Sequence, residues 1–94
     1  MDYQERIEEI KQLMDFIIED TSVPRNIRAA VSQAKEKIQE EHEDKTVVLA
    51  EAIYILDEIA NDINIPIHAR TQIWNLIAEI ERLKEDLKKE EESA

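Results

Sequence analysis

Apolar residues recur at intervals of three and four along almost the whole chain, and the pattern stops only at two prolines and one acidic patch. A period near 3.6 is that of a helix with one buried face, so the sequence reads as helix throughout with three breaks. The first helix is expected over about 3–19. Asp2 and Glu5 stand at capping-box spacing, and Tyr3, Ile7, Ile10, Met14 and Ile17 draw one stripe. Residues 20–23 read as a linker, and Pro24 opens a second helix of about 24–39, where its missing N–H costs nothing. Ile27, Ala30, Val31, Ala34 and Ile38 carry its inner face.

Glu40, Glu41, His42, Glu43 and Asp44 are dense in charge and lack apolar anchors, as a solvated connection does, with Asp44 or Thr46 as the next cap. The third helix, about 45–60, is the most apolar. Leu49, Ala52, Leu56 and Ile59 form its stripe, and Ile53 and Ile55 widen it, which predicts contact from two sides. Residues 61–65 make a second linker, and Pro66 opens a fourth helix of about 66–89.

Matched against itself at an offset of 42, the chain repeats. Asp15, Ile17, Asp20, Pro24, Arg28 and Ile38 recur as Asp57, Ile59, Asp62, Pro66, Arg70 and Ile80, while Val23 and Val31 become Ile65 and Ile73. Linker acid, helix-opening proline and the arginine four residues on all fall in step. The expected fold is therefore all-α, a compact four-helix unit made of two similar helical hairpins. Either a solenoid-like stack or an up-down bundle satisfies the pattern. Asp20 and Asp62 precede helices whose N–H groups a carboxylate can meet, and Arg28 and Arg70 can reach back to a carboxylate or to the last carbonyls before the turn.

Composition bounds the function. Ninety-four residues suffice for one domain over 1–94, with a modest core that a partner would help to complete. There is no cysteine, which excludes disulfides, thiolate metal sites and a cysteine nucleophile. There is no glycine either, so no P-loop or dinucleotide fingerprint can be built. Twenty-three acidic residues against 12 basic ones give a net charge of −11, a field that repels phosphate backbones and anionic membranes. Residues 2–6 are unlike a signal or transit peptide, and the longest apolar run, Val47 to Ala50, is far short of a membrane span. A cytoplasmic chain that contacts neither nucleic acid nor membrane directly is expected.

No catalytic kit is legible. His42 and His68 are the two histidines; a three-histidine zinc site is impossible, and the Glu-x-x-His of di-iron bundles is absent, since Gln39 and Ile65 stand three residues before them. The 40–44 segment reads as solvated charge, with loose cation binding as the minor alternative. Ser22 and Ser32 have no glycine elbow around them, although a serine–histidine pair can form between residues distant in sequence. No cofactor and no metal site are expected.

Two places invite binding. One is the segment from Asn61 to Asn75, where Asn61, Asp62, Asn64, His68, Arg70, Thr71 and Trp74 concentrate polar groups and the only tryptophan beside a helix start. Each has a packing alternative: Asn64 as a cap, His68 solvated, Arg70 tied to the turn, and Trp74 in the core or at a subunit interface. The other is the end of the fourth helix. At about 36 Å it outruns neighbours of about 25 Å, and Leu83 and Leu87 remain apolar there, either on helix 1 or against a second subunit.

Laid side by side, Val23-Pro24-Arg25-Asn26-Ile27-Arg28, Ile55-Leu56-Asp57-Glu58-Ile59, and Asn61-Asp62 through Pro66, His68, Arg70, Thr71, Ile73, Trp74 and Asn75 resemble a family of short, acidic, wholly helical archaeal proteins of unknown function. The resemblance covers essentially the whole chain. It implies a compact helical fold and an archaeal cytoplasmic setting, and supplies no active site. The expected role is a non-catalytic protein–protein interaction or assembly module, self-associating with a dimer favoured and a basic protein as a further partner. The alternatives are a small enzyme or metal-dependent accessory using His68 and Arg70, and a translation-associated factor that binds a basic protein.

Overall fold

The computed structural model describes residues 2–93 and contains four helices: α1 (Tyr3–Ile18), α2 (Arg25–Gln39), α3 (Lys45–Ala60) and α4 (Ile67–Ser93). Two of the four starts follow from carboxylate capping and two from a proline. The Asp2 carboxylate accepts from the Glu5 N–H at 3.2 Å, opening α1. Asp44, rather than Thr46, caps α3, accepting from the Thr46 N–H at 3.0 Å and its hydroxyl at 2.6 Å. Pro24 stands just outside α2, with ψ of 148°. Its carbonyl accepts the first helical bond, from Arg28, and the Pro66 carbonyl does the same for Arg70. The two prolines thus cap rather than begin their helices, one residue later than expected. Helix α4 runs to Ser93 instead of about Lys89, since 88–93 hold neither glycine nor proline to stop it.

Each helix packs on its sequence neighbours, and α1 also packs on α4. That last contact closes the ring, so the two hairpins form an up-down bundle and not a solenoid stack. The body measures 44 × 19 × 18 Å. Linkers 20–24 and 62–66 lie at one end, and the 40–44 connection lies at the other.

The core is the expected set of stripes. Ile7, Ile10, Met14 and Ile17 of α1 meet Ile27, Val31, Ala34 and Ile38 of α2, with Leu49, Ala52 and Leu56 of α3 and Ile73, Leu76 and Ile80 of α4. Among the described residues every buried side chain is apolar. Each fully buried Ile or Leu removes enough surface from water to contribute about 1.5–3 kcal/mol. Tyr3, Ala30, Ile53, Ile55 and Ile59 sit at the margin of this core, half-buried.

Leu83 also belongs to the core, with 0% of its surface exposed, and Leu87 is half-buried against it. The candidate self-association pair is thus occupied within the single chain. Helices α1 and α4 run antiparallel and Arg6 of α1 bridges Asp86 of α4 at 3.0 Å, so the start of α1 covers Leu83. Helix α4 overhangs only beyond that point.

Candidate functional site

The end of the bundle that carries both linkers is built by one local rule used twice. In the first linker the Asp20 Oδ1 accepts from the Ser22 N–H at 2.9 Å and the Ser22 hydroxyl at 2.6 Å. In the second, Asp62 Oδ1 accepts from the Asn64 N–H at 2.8 Å. The N–H groups of Val23 and Ile65 return to the Asp20 and Asp62 carbonyls. These are Asx turns, so the two carboxylates order the linkers themselves and do not meet the helix N–H groups, as the sequence led one to expect. An Asx turn needs its acceptor two residues ahead of the donor, and Asp20 and Asp62 are too far back to reach α2 and α4.

The second carboxylate oxygens tie the hairpins together. Asn26 Nδ2 donates to Asp62 Oδ2 at 3.2 Å. His68 Nε2 lies 3.2 Å from Asp20 Oδ2 and 3.3 Å from Ser22 Oγ. The Ser22 bonds, and less strongly the imidazole, hold the Asp20 carboxyl below its ordinary 3.8. A serine, a histidine and an aspartate are therefore together, yet not as an acyl-transfer triad. Both contacts fall on the same ring nitrogen, and Ser22 donates directly to Asp20; a triad histidine must hold the acid on one nitrogen and the nucleophile on the other.

The arginines have structural partners. Arg70 Nε donates to the Ala60 carbonyl at 3.2 Å, the last of α3, and Nη2 reaches the Asp62 carbonyl at 3.5 Å. Arg28 Nε donates to the Val23 carbonyl at 3.0 Å. Asn61 Nδ2 donates to the Asp57 carbonyl at 3.0 Å, and Thr71 Oγ1 to the Ile67 carbonyl at 3.2 Å. Of the seven candidate binding residues, Asp62, Asn64, His68 and Arg70 converge on this end. Asn61 and Thr71 are satisfied locally, and Trp74 lies two turns along α4.

Trp74 is not in the core: 56% of it is exposed. Seven residues before it Ile67 is 82% exposed, and Ile63 in the linker is 91% exposed. Ile67, Thr71 and Trp74 share one face of α4, at spacings of four and three. At the corresponding places in the first hairpin, 42 residues earlier, stand Thr21, Arg25 and Ser32. The two hairpins share a fold and a core, but only the second carries large apolar groups outward at these places. Ile63 and Ile67 escaped the candidate set drawn from the sequence, because interest there fell on polar groups; comparing the outward positions of the repeat would have found them.

Residues 63–78 also contain no acid, in a chain with 23. At the opposite end, His42 Nδ1 accepts from the Asp44 N–H at 2.9 Å, and Asp44 is engaged by Thr46. Among the described residues no three His, Asp or Glu side chains gather as metal ligands, and no helix is long and apolar enough to cross a membrane.

The uncharacterised protein family UPF0147 matches residues 1–83. A UPF0147 protein of Methanocaldococcus jannaschii is 52% identical over 81 residues, 86% of this chain and 87% of that one. One from Methanothermobacter thermautotrophicus is 46% identical over 86% of this chain and 79% of its own length. The crystal structure of the unknown-function protein MMP1188 superposes with a TM-score of 0.80 at 45% identity, covering 83% of this chain and 89% of that one. A UPF0147 structure from Thermoplasma acidophilum gives 0.80 at 35% identity, covering 85% and 94%.

Proposed function

The chain belongs to the uncharacterised protein family UPF0147, and from its surface we propose that it works as a non-catalytic assembly module that pairs with a second copy of itself. The face used is that of α4 bearing Ile67, Thr71 and Trp74, with Ile63 beside it. One observation carries the reading: Thr21, Arg25 and Ser32 of the first hairpin become Ile63, Ile67 and Trp74 in the second, at positions that do not serve the core. Folding is indifferent to that exchange. Contact with another molecule is not, because exposed aromatic and aliphatic groups contribute at interfaces once water is excluded.

Charge favours a second copy over an arbitrary partner at this face. Two chains of net charge −11 repel, and they approach most easily where the acids are missing, which is along 63–78. An isologous pairing about Thr71 sets α4 antiparallel to its counterpart, with Ile67 of one copy near Trp74 of the other. A cytoplasmic setting goes with this reading. His68 and Arg70, the pair that an enzymatic alternative would need, are taken up by Asp20, Ser22 and the α3 carbonyl end.

The test exchanges the repeat's own residues. A variant carrying Ile63→Thr, Ile67→Arg and Trp74→Ser keeps side chains that the first hairpin already tolerates. Sedimentation velocity should show the wild type as a dimer and this variant as a folded monomer. A wild type that sediments as a monomer at all concentrations, or a variant that remains dimeric, overturns the reading.

A further inference from the structure

The seam between α1 and α4 is clamped at both ends and open in the middle. Arg6 bridges Asp86 at one end, and His68 meets Asp20 at the other. Between the clamps lies a trough of about 570 Å³. One wall is α1, with Glu9, Leu13 and Phe16; the other is α4, with Asn75 and Glu79. Leu13 and Phe16 are 46% and 67% exposed, three residues apart, and neither belongs to the helix's buried stripe. A second hollow continues from Phe16 to Glu19 and Asp20.

The lining is apolar at Ile10, Leu13 and Phe16 and acidic at Glu9, while Arg6, held by Asp86, closes one end. Glu9 and Glu19 make no salt bridge among the described residues, and they flank Leu13 and Phe16 along one side. We propose that this trough receives a basic amphipathic helix from a partner protein. From Arg6 to Ile18 the trough follows 13 residues of α1, about 20 Å, close to the length of a helix of about four turns. Such a helix lays two or three apolar side chains on Leu13 and Phe16 and directs lysines or arginines to Glu9 and Glu19, while Glu79 is already held by Arg82 at 2.6 Å. A second copy of this chain does not fit, because the α1 edge is acidic and would face another acidic edge; the near-neutral face of α4 is the place for that. Asn75 of the trough stands one residue after Trp74 and four after Thr71, so the trough borders the pairing face of α4, and the Ile63→Thr, Ile67→Arg, Trp74→Ser variant presents it without a second copy.

The probe is a synthetic four-turn peptide with leucines at helical spacing on one face and lysines elsewhere, set against a scrambled peptide of the same composition. Binding is read by fluorescence anisotropy, and the location by amide shifts, on the wild type and on the Ile63→Thr, Ile67→Arg, Trp74→Ser variant. The patterned peptide should bind both proteins, with shifts confined to α1 and the facing edge of α4. Leu13→Gln with Phe16→Gln, and separately Glu9→Lys with Glu19→Lys, should weaken it by about tenfold or more while circular dichroism stays unchanged. Equal affinity for the scrambled peptide, full binding by the folded Leu13→Gln, Phe16→Gln variant, shifts elsewhere, or no binding at all would each overturn the proposal. Loss of dimerisation is read by a different variant, so one surface can fail while the other stands.

Discussion

His68 holds in the second hairpin the place that Asn26 holds in the first, and each crosses the end of the bundle to the other hairpin's aspartate. Asn26 meets Asp62 and His68 meets Asp20, both at 3.2 Å and both on Oδ2. The internal repeat is thus a pseudo-twofold arrangement in which each linker is fastened by the helix that follows the other. A histidine at this place has a structural explanation that its position in a first helical turn did not offer.

His68→Asn should therefore be accepted. The shorter amide makes the second hairpin copy the first, and thermal unfolding at neutral pH should match the wild type closely. His68→Ala removes the crossing contact and should unfold at slightly lower temperature. Both should dimerise as the wild type does, since His68 lies outside the proposed pairing face. A His68→Asn protein that fails to fold would show that the two crossings are not equivalent.

The Asp20 carboxylate should show in the pH dependence of stability. Ser22 and His68 hold its folded pKa below the ordinary 3.8. A depressed acid stabilises the native state above its unfolded value, and the contribution fades as pH falls through the folded value. Asp20→Asn keeps an acceptor for the turn and loses the charge. Urea unfolding of the two proteins should differ at neutral pH and converge as the medium is acidified below 3.8. A gap of constant size across that range would contradict the assignment.

Arg70 closes the carbonyl end of α3, which a ligand-binding arginine would not do. Arg70→Ala leaves the Ala60 carbonyl without that donor, and urea unfolding should register a loss of about 1–2 kcal/mol. Arg28→Ala should cost a similar amount through the Val23 carbonyl. Neither should change the sedimentation coefficient of the folded protein.

Leu83 and Leu87 separate depth from pattern. Leu83→Ala should cost about 2–5 kcal/mol, the usual range for a filled core position, and Leu87→Ala about 1 kcal/mol. Denaturant titration checks both. Leu83→Glu should unfold the chain rather than separate two copies.

Periodicity exposed the helices, the stripes and the repeat because a helix writes its buried face into the sequence every third or fourth residue. It left open how the hairpins close, since α1 on α4 and α1 on solvent require the same stripe from Ile7 to Ile17. Depth was equally hidden: Leu83 and Trp74 are both large and apolar on one helix, yet the start of α1 covers the first while the second is left 56% exposed. The Asx turns at Asp20 and Asp62 were visible as repeated acids but not as turns, because cap and turn place the same residue before a helix. Leu13 and Phe16 fell outside the α1 stripe and so drew no attention. Apolar residues off a stripe are the sequence signal for a second surface.

Trp74 is the only tryptophan in the chain, so its emission reports directly on the proposed pairing face. The most direct measurement is acrylamide quenching of that emission while the protein is diluted through the micromolar range, beside sedimentation of the same samples. Pairing through Ile67 and Trp74 predicts a shielded, blue-shifted tryptophan at high concentration. It should become exposed on dilution in step with dissociation, and Ile67→Arg should be exposed at every concentration. A tryptophan fully open to quencher in samples that sediment as dimers would place the contact elsewhere and contradict the account.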